Sequence, residues 1–352
     1  MSHKHIVRTL APALALLLAA VGGVMPAHAG AKKKVACTLP SVEAIVREVG
    51  GDKVETFSLA AGDQDPHTVS PTPSLMKRVR GADMLFEIGM QLELWADQVA
   101  DGSGNSKIFR GAAGRVVLSA GIPKLEVPAT VSRSQGDVHP EGNPHVWLDP
   151  MRAKIMADNA ARALAAAMPE HAAYFAARAR AFKDKVDRAL FGDQLLKIVG
   201  SRKLTQLALS GKLHEFLESR DYQGAKLVTR AGGWLAMARP LRGQKVVEFH
   251  KVWAYFASTF GFELVATIEE KPGIAPGPRH LQDTVAKVKS GGVRVILVDN
   301  FYDDALPKRV AKEGGATAIS VPNQVRGERG VNDYFALVDH VLKRMLAVRA
   351  RR

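Results

Sequence analysis

The sequence predicts an α/β protein with two Rossmann-like lobes that have mainly parallel sheets and are joined by long helical segments. Short apolar segments alternate with longer amphipathic ones in both halves of the chain, which is the pattern of βαβ units. Two consecutive helical segments with no strand between them lie in the middle. The roughly 320 residues after the first thirty are enough to build two domains.

In the first half of the chain, the pattern predicts three strands and two helices and then becomes irregular. The strands are KVACTL, VETFSLA and MLFEIG, and the helices are SVEAIVREVG and SPTPSLMKRVRGA. From Gly114 to Pro144 no regular pattern is visible, which predicts an exposed loop. Cys37 lies in the first strand, and a single cysteine can form no intramolecular disulfide. We therefore expect Cys37 to be a small buried apolar residue.

Two long helices are predicted between the halves. Asp149 and Pro150 are typical of a helix start, with Asp as the N-cap and Pro at the first helical position. The Ala-rich segment MRAKIMADNAARALAAAM follows them. A second start at Pro169–Glu170 begins another long helix. Two such helices favour a connection between lobes over a further βαβ repeat.

The second half predicts four more strands with helices between them. The strands are KVVEF, LVATIEE, VRVILVD and TAISV, and a helix over VNDYFALVDHVLKRMLAV follows the last strand. The stretch from Phe191 to Arg242, which comes before these strands, is the least regular part of the chain. It contains a helical segment, LTQLALSGKLHEFLES, and the Gly-rich AGGWLAMARPLRG.

The first 29 residues predict a secretory signal peptide. Lys4 and Arg8 precede an apolar stretch from Leu10 to Met25, and Ala27–Ala29 forms an A-x-A cleavage site. The apolar stretch is short for a membrane-spanning helix, which needs roughly 20 residues. We therefore expect cleavage before Gly30 and a mature protein outside the inner membrane.

The formal net charge of +14 raises the question of nucleic-acid binding. Many of the basic residues lie on the polar faces of predicted helices, as in RARAFKDKVDR and VLKRMLAVRARR. Aromatic residues, which stack on bases in single-strand binding proteins, make up only 6% of the chain. Export also argues against such a partner, so we interpret the charge as a solvated basic surface.

Three histidines lie where predicted strands give way to helices. His67 follows VETFSLA, His145 precedes the helix that begins at Pro150, and His250 follows KVVEF. In open α/β sheets, ligands bind at the loops beyond the carboxyl ends of the strands. Neutral imidazole is a common zinc ligand. The intervals of 78 and 105 residues exclude a zinc finger and favour a site between the lobes.

Almost the whole chain after the signal peptide resembles the cluster A-I solute-binding proteins of zinc and manganese ABC transporters. The resemblance is carried by DPHTVSPTPSLMKRVRGADMLFEIGMQLELW, NPHVWLDP and EFHKVWAYFASTFGFELVATIEEKPGIAPGP. It implies two lobes, each with a four-stranded sheet, joined by one rigid helix. It also implies that His67, His145 and His250 bind a metal ion in the cleft between the lobes.

The resemblance further implies a periplasmic protein that passes its metal to an ABC permease in the inner membrane. Together with the pattern, it divides the chain into a signal peptide (1–29), an N-terminal lobe (30–168), a connecting helix (169–190) and a C-terminal lobe (191–352). We expect a monomer without catalytic activity, whose partners are the metal ion and the permease and not nucleic acid.

A fourth metal ligand has three candidates. Many members of the family carry a carboxylate where this chain has Asn323, in AISVPNQVRG. Asn323 is one candidate, Asp299 after VRVILV is another, and water is a third. We favour water or a nearby carboxylate, because an amide oxygen is a poor zinc ligand. Manganese-selective members usually have Glu at the position of His250, so three nitrogen ligands favour Zn²⁺ over Mn²⁺.

Residues around these histidines are candidates for supporting roles. His139 with Asp137 and Glu141 is a candidate accessory zinc site, although an ordinary polar loop is the simpler interpretation. Trp147, Asp149 and Glu248 are candidates for orienting the imidazoles, and core packing of Trp147 and helix capping by Asp149 are at least equally good interpretations. Four further histidines are predicted to lie in or beside amphipathic helices and to have no role in the site: His171, His214, His280 and His340.

Two alternatives to zinc transport remain at this point. Three histidines with an open fourth position are also the arrangement of catalytic zinc, so a zinc-dependent hydrolase is one alternative. The chain contains neither H-E-x-x-H nor G-x-S-x-G, which argues against it. The other alternative is a manganese-binding transport protein of the same family.

Overall fold

The computed structural model describes residues 1, 32–130, 139–269, 271 and 273–350. The predicted signal peptide therefore lies outside the described residues, apart from Met1. Two sheets of four parallel strands organise the described part, and a two-stranded hairpin lies between them in the chain. The strands are β1 Lys33–Cys37, β2 Val54–Ser58, β3 Met84–Glu87, β4 Arg115–Val117, β5 Asp221–Tyr222, β6 Ala225–Lys226, β7 Lys245–Glu248, β8 Glu263–Thr267, β9 Val295–Asp299 and β10 Thr317–Val321.

Helices connect the strands of each sheet and fill the middle of the chain. They are α1 Pro40–Gly50, α2 Pro73–Val79, α3 Trp95–Ser103, α4 Pro150–Ala167, α5 Ala172–Val199, α6 Ser201–Leu209, α7 Leu213–Ser219, α8 Gly233–Ala238, α9 Ala254–Phe260, α10 Pro278–Gly291, α11 Ala305–Gly314 and α12 Tyr334–Ala350. In the part of the chain that the structure describes, no helix is long and apolar enough to cross a membrane.

In each sheet, the strand that comes first in the chain lies between two other strands. The N-terminal sheet has the order β2-β1-β3-β4, and the C-terminal sheet has the order β10-β9-β7-β8. All neighbouring strands in the two sheets are parallel. Their carboxyl ends therefore meet at one edge of each sheet, where the connecting loops can form a ligand site. The predicted fold class, two α/β lobes with parallel sheets, is confirmed.

Strand β9 shows why these segments are continuous apolar runs in the sequence. Val295 and Leu297 belong to the large core, whereas Ile296 and Val298 belong to a second, smaller core. Successive side chains of a strand point to opposite faces, and helices cover both faces of a parallel sheet. Every residue of VILVD is therefore buried.

The predicted pair of long helices is present. Asp149 caps α4, where its carboxylate accepts a hydrogen bond from the Met151 N–H at 2.7 Å. A short 3-10 helix over Pro169–His171 leads into α5, which is helical up to Gly192. Gly192 has φ 73° and ψ 157° and interrupts the helix. The division of the chain into lobes at residues 168 and 191 stays a prediction.

Two segments differ from the sequence-based expectation. The region from Gly114 to Pro144, predicted to be irregular, begins with β4, the fourth strand of the N-terminal sheet. Three residues at the edge of a sheet are too few to give a periodic pattern. The stretch from Phe191 to Arg242 is well structured and forms α6, α7, the β5–β6 hairpin and α8. Cys37 is fully buried, as predicted, and burial raises the pKa of its thiol.

A close approach of two backbones explains the glycines of this stretch. A Cβ on Gly192 would lie 2.6 Å from the Cα of Gly232, and one on Gly233 would lie 2.0 Å from the Ala189 carbonyl oxygen. The interrupted helix α5 and the start of α8 thus approach each other backbone to backbone. Only residues without a side chain permit this contact.

We expect Gly192→Ala to destabilise the protein more than Gly200→Ala. Both glycines have positive φ and extended ψ, a conformation that costs roughly 1–3 kcal/mol for other residues. A Cβ on Gly200 meets nothing within 4 Å, whereas one on Gly192 meets Gly232. Urea unfolding of both variants would measure the difference. Equal losses of unfolding free energy would show that the close contact with Gly232 is unimportant.

Candidate metal centre

Three imidazoles converge between the two sheets. Each of His67, His145 and His250 offers one ring nitrogen, and these nitrogens all lie within 4.8 Å of one another. The ring centroid of His67 is 5.2 Å from those of both other rings, and His145 and His250 are 6.0 Å apart. His145 and His250 are buried, and the His67 side chain is 8% exposed. Among the described residues, this is the one such group of histidine, cysteine and acidic side chains.

The fold explains why residues so far apart in sequence meet. His67 lies in the loop that follows β2, and His250 lies two residues after the end of β7. His145 directly precedes a 3-10 helix over Val146–Leu148, which leads into α4. Two of the three ligand positions therefore follow the carboxyl ends of parallel strands, one from each sheet, as the sequence predicts.

His67 and His145 are oriented by the same three-residue device, [DN]-P-H. One oxygen of Asp65 accepts hydrogen bonds from the backbone N–H and from Nδ1 of His67, both at 2.9 Å. The Asn143 side-chain oxygen accepts equivalent bonds from His145, at 3.0 Å from N and 2.8 Å from Nδ1. The acceptor two residues before the histidine thus holds both the backbone and the ring.

His250 is oriented by a residue from another strand end. Its Nδ1 hydrogen-bonds to the Glu269 carboxylate, which lies just after β8. The other oxygen of Glu269 accepts the Gly273 N–H at 2.9 Å, and the side chain is largely buried. Asp65, Asn143 and Glu269 were missed in the sequence. The repeated D-P-H and N-P-H motifs could have indicated the first two, whereas Glu269 is 19 residues from its partner and gives no local signal.

These hydrogen bonds leave Nε2 of each ring for another partner. When Nδ1 donates its proton to an oxygen acceptor, the neutral ring keeps a lone pair on Nε2. The Nε2 atoms of His67 and His145 are buried and have no hydrogen-bond partner among the described residues. Buried polar atoms are normally paired, so these two nitrogens indicate a site for a Lewis acid.

The surroundings of His145 favour its neutral form. Burial lowers the pKa of His145 well below its usual 6.5, and the nearby imidazoles of His67, His250 and His139 lower it further. Burial raises the pKa of Asp65, but its hydrogen bonds with His67 outweigh this, and the net shift is downward. An ionised carboxylate therefore lies behind a ring that must be neutral to coordinate metal.

The two candidates for a fourth ligand lie against each other. The Asn323 amide donates to Asp299 at 3.0 Å, and both side chains are fully buried. Burial raises the pKa of Asp299 well above its usual value, and repulsion from Glu248 adds to this. Asp299 is not part of the group whose ligand atoms lie within 4.8 Å. Its role and that of Asn323 as ligands stay predictions.

None of the three residues predicted to orient the imidazoles hydrogen-bonds to one. The Trp147 ring is tilted by 57° against the His145 ring, with the centroids 5.3 Å apart, and its indole donates to the Asn323 carbonyl at 2.6 Å. Asp149 caps α4 and pairs with Arg152. Glu248 accepts the N–H groups of Val252 and Trp253, and burial raises its pKa to about 8. Trp147 and Asp149 thus fit the alternative interpretations of packing and capping, whereas Glu248 binds backbone N–H groups of the turn between β7 and α9.

The accessory site proposed for His139, Asp137 and Glu141 stays a prediction. His139 lies beside the main cluster, with its ring centroid 5.2 Å from that of His67. Glu141 instead pairs with Lys124 at 2.5 Å. Asp137 lies outside the described residues. The His139 carbonyl accepts the Gly142 N–H at 3.1 Å, which closes a turn over these residues.

Comparison with known families agrees with this geometry. A family described as zinc-uptake complex component A, periplasmic (ZnuA), matches residues 35–190 and 234–348, which is well over half of the chain. The chain belongs to this family. Its members are metal-binding substrate-binding proteins of ABC transporters and not enzymes, so the resemblance and the absence of catalytic activity are confirmed. The match leaves out residues 191–233, which lie in the stretch that is least regular in sequence.

Individual relatives are distant and differ in the metal they are named for. The iron-binding protein YfeA of Yersinia pestis is 25% identical over 320 residues, 89% of this chain and 85% of that protein. The manganese ABC transporter substrate-binding lipoprotein PsaA of Streptococcus pneumoniae is 26% identical over 195 residues, 54% of this chain and 60% of that protein. The crystal structure of ZnuA has a TM-score of 0.65 at 20% identity and covers 90% of this chain and 99% of that chain.

We expect His145 of the metal-free protein to remain neutral at about pH 5.5, where a free imidazole with a pKa of about 6.5 is mostly charged. Because the unfolded chain then binds more protons than the native state, His145 should contribute a loss of stability as the pH falls below about 6.5. Long-range ¹⁵N–¹H correlation spectra would show its protonation directly. A charged His145 ring at pH 5.5 in the folded protein would contradict this.

Proposed function

We propose that this protein captures Zn²⁺ through the Nε2 atoms of His67, His145 and His250 and delivers it to an ABC permease. The observation that carries the proposal is the convergence of three imidazole nitrogens within 4.8 Å, two of them buried and without a hydrogen-bond partner in the described part of the chain. Each ring is already oriented through Nδ1 by a side-chain oxygen.

The ligand types favour zinc over manganese, the metal for which PsaA is named. Manganese prefers oxygen ligands, and Asp299 is outside the group of converging ligand atoms. Zinc is borderline-soft, has no preferred geometry and is bound by three histidines with water as a fourth ligand in many proteins. We propose water in the fourth position here, because the Asn323 amide and Asp299 are engaged with each other.

We further propose that the protein acts as a monomer in the periplasm. The predicted signal peptide over residues 1–29 and the description of the family as periplasmic support this location. In this proposal, 30–168 and 191–352 are the two lobes and 169–190 is the connecting helix. Transfer to a permease follows from membership of a family that serves ABC transporters.

We expect one Zn²⁺ per protein, and a loss of affinity of more than about a hundredfold in each of His67→Ala, His145→Ala and His250→Ala. Residues that merely orient a ligand change metal affinity roughly 10–100-fold, so loss of a ligand should exceed this range. Isothermal titration with Zn²⁺ would measure it, with His171→Ala at the start of α5 as the control.

Two results would contradict the proposed function. Unchanged zinc affinity in all three variants would exclude the site. Competition titrations in which Mn²⁺ displaces Zn²⁺ at equal concentration would instead exclude zinc as the preferred metal. The family membership would remain in both cases.

The role of Glu269 gives a separate expectation. Glu269→Gln keeps an oxygen acceptor for His250 but removes the negative charge, so zinc affinity should fall about 10–100-fold. Glu263→Gln removes the same charge from an exposed position in β8 and should leave the affinity unchanged. Equal zinc affinities in the two variants would show that the carboxylate behind His250 has no specific function.

A further inference from the structure

The loop after β10 joins the two lobes. This loop, Pro322–Gly327, is called the interlobe loop below. The Gln324 side chain accepts the Ser41 N–H at 3.1 Å, and the Ser41 hydroxyl accepts the Val325 N–H at 3.1 Å. Ser41 and Gln324 are fully buried. Reciprocal buried bonds of this kind fix the loop to the start of α1 in the N-terminal lobe.

Arg326 adds an ion pair to this contact. Its guanidinium hydrogen-bonds to the Glu43 carboxylate and, at 3.0 Å, to the Ser58 hydroxyl at the end of β2. The Glu43 side chain is 7% exposed and that of Arg326 is 38% exposed. Glu43 also accepts hydrogen bonds from Arg47 at 3.3 Å and Thr56 at 3.2 Å. Glu43 would therefore keep two partners if Arg326 moved away.

A close backbone contact completes the attachment. A Cβ on Gly62 would lie 2.4 Å from the carbonyl carbon of Arg326 and 2.5 Å from the nitrogen of Gly327. Gly62 belongs to the loop that carries His67. The interlobe loop thus presses against the segment that leads from β2 to the first of the three histidines.

The same loop reaches the metal centre. The Asn323 carbonyl accepts the Trp147 indole N–H, and its side-chain amide donates to Asp299. Because Trp147 is two residues from His145, the loop touches the segments that carry His67 and His145 together.

The two segments are not held equally. Tyr255 and Tyr334 of the C-terminal half donate to the carbonyls of Asn143 and Trp147, at 2.7 and 2.9 Å. His145 is therefore tied to the C-terminal half, like His250, without the interlobe loop. Within its own half, the His67 segment is held by the Trp95 indole, which donates to the Pro66 carbonyl at 2.9 Å. Its links to the C-terminal half are the loop contacts and an interaction of Asp65 with Tyr302. The position of His67 relative to the other two histidines therefore depends most on the loop.

We propose that Arg326 and Gly62 are positioning residues that hold His67 against His145 and His250, so that the interlobe loop sets the rate of metal release. This proposal rests on the proposed function. Opening the loop withdraws one of three ligands, which leaves the ion held by two. Since Arg326 is the exposed member of its ion pair, a carboxylate on the docking partner can compete for it, and Glu43 remains satisfied by Arg47 and Thr56.

The test measures zinc dissociation from the loaded full-length mature protein by stopped-flow chase with a chelator. Arg326→Gln removes the ion pair, and Gly62→Ala inserts a methyl group into the backbone contact without changing charge. Arg309→Gln, an exposed arginine of α11, and Gly81→Ala, whose Cβ meets nothing within 4 Å, are the matched controls. We expect about tenfold or faster release in the first two variants, within the roughly 5–150-fold range of coupling between sites, and wild-type rates in the controls.

Salt separates a positioning role from a general loss of stability. Ionic strength screens a partly exposed ion pair, so release from the wild type should accelerate with salt, and release from Arg326→Gln should not. Release from both test variants at the control rate would overturn the proposal. If Arg326→Gln fails to fold, Gly62→Ala and Ser41→Ala provide the same test. A wild type that binds no zinc would contradict the proposed function itself, which distinguishes the two failures.

Discussion

Each imidazole of the cluster is held by a hydrogen bond from Nδ1 to a side-chain oxygen, and the geometry of the whole centre depends on these three bonds. An imidazole without such a bond turns about its side-chain torsions, and its Nε2 has no fixed direction. With the bond in place, the ring has one orientation and one tautomer. The fold then brings three lone pairs together. Among the described residues, two of these nitrogens are buried without a hydrogen-bond partner. A bound cation would accept both lone pairs, so the arrangement favours the loaded protein.

The parallel sheets supply the positions from which these bonds can form. In each sheet, the second strand of the chain pairs with one side of the first strand, and the third strand pairs with its other side. Successive connections therefore lead to opposite sides of the first strand, and the loops at its carboxyl end diverge. His67 and Glu269 follow outer strands, β2 and β8, and His250 follows a central strand, β7. Proline before His67 and before His145 restricts the backbone where the Asx side chain closes its turn. Local chemistry therefore orients the rings, and topology brings them together.

The sequence predicted the fold class, the long paired helices and the three histidines because each leaves a regular signal. Buried strands such as β9 are continuous apolar runs, and Asp149–Pro150 is a helix start with a local mechanism. The parts that were missed depend on contacts between distant residues. Glu269 reaches His250 from the next strand, and β4 is recognisable only by its pairing with β3. The close approach of Gly192 and Gly232 likewise has no pattern in either segment alone. Periodicity reports which face of an element is buried, and it carries no information about which element covers that face.

In the proposed zinc site, carboxylates around the cluster compensate the charge of an ion whose three protein ligands are neutral. Asp65 and Glu269 lie behind two of the rings, and the neutral amide of Asn143 lies behind the third. Two carboxylates that act through imidazoles match the charge of one divalent ion without touching it. Next to this set, the Asn323 amide donates to Asp299, whose pKa is raised by burial, so the pair adds little charge. Aspartate at position 323 would place a second acid against Asp299 in a buried site, where like charges disfavour ionisation. The neutral amide of Asn323 thus fits a centre in which the compensating charge comes from Asp65 and Glu269, behind the imidazoles. Such a centre suits an ion that prefers nitrogen ligands.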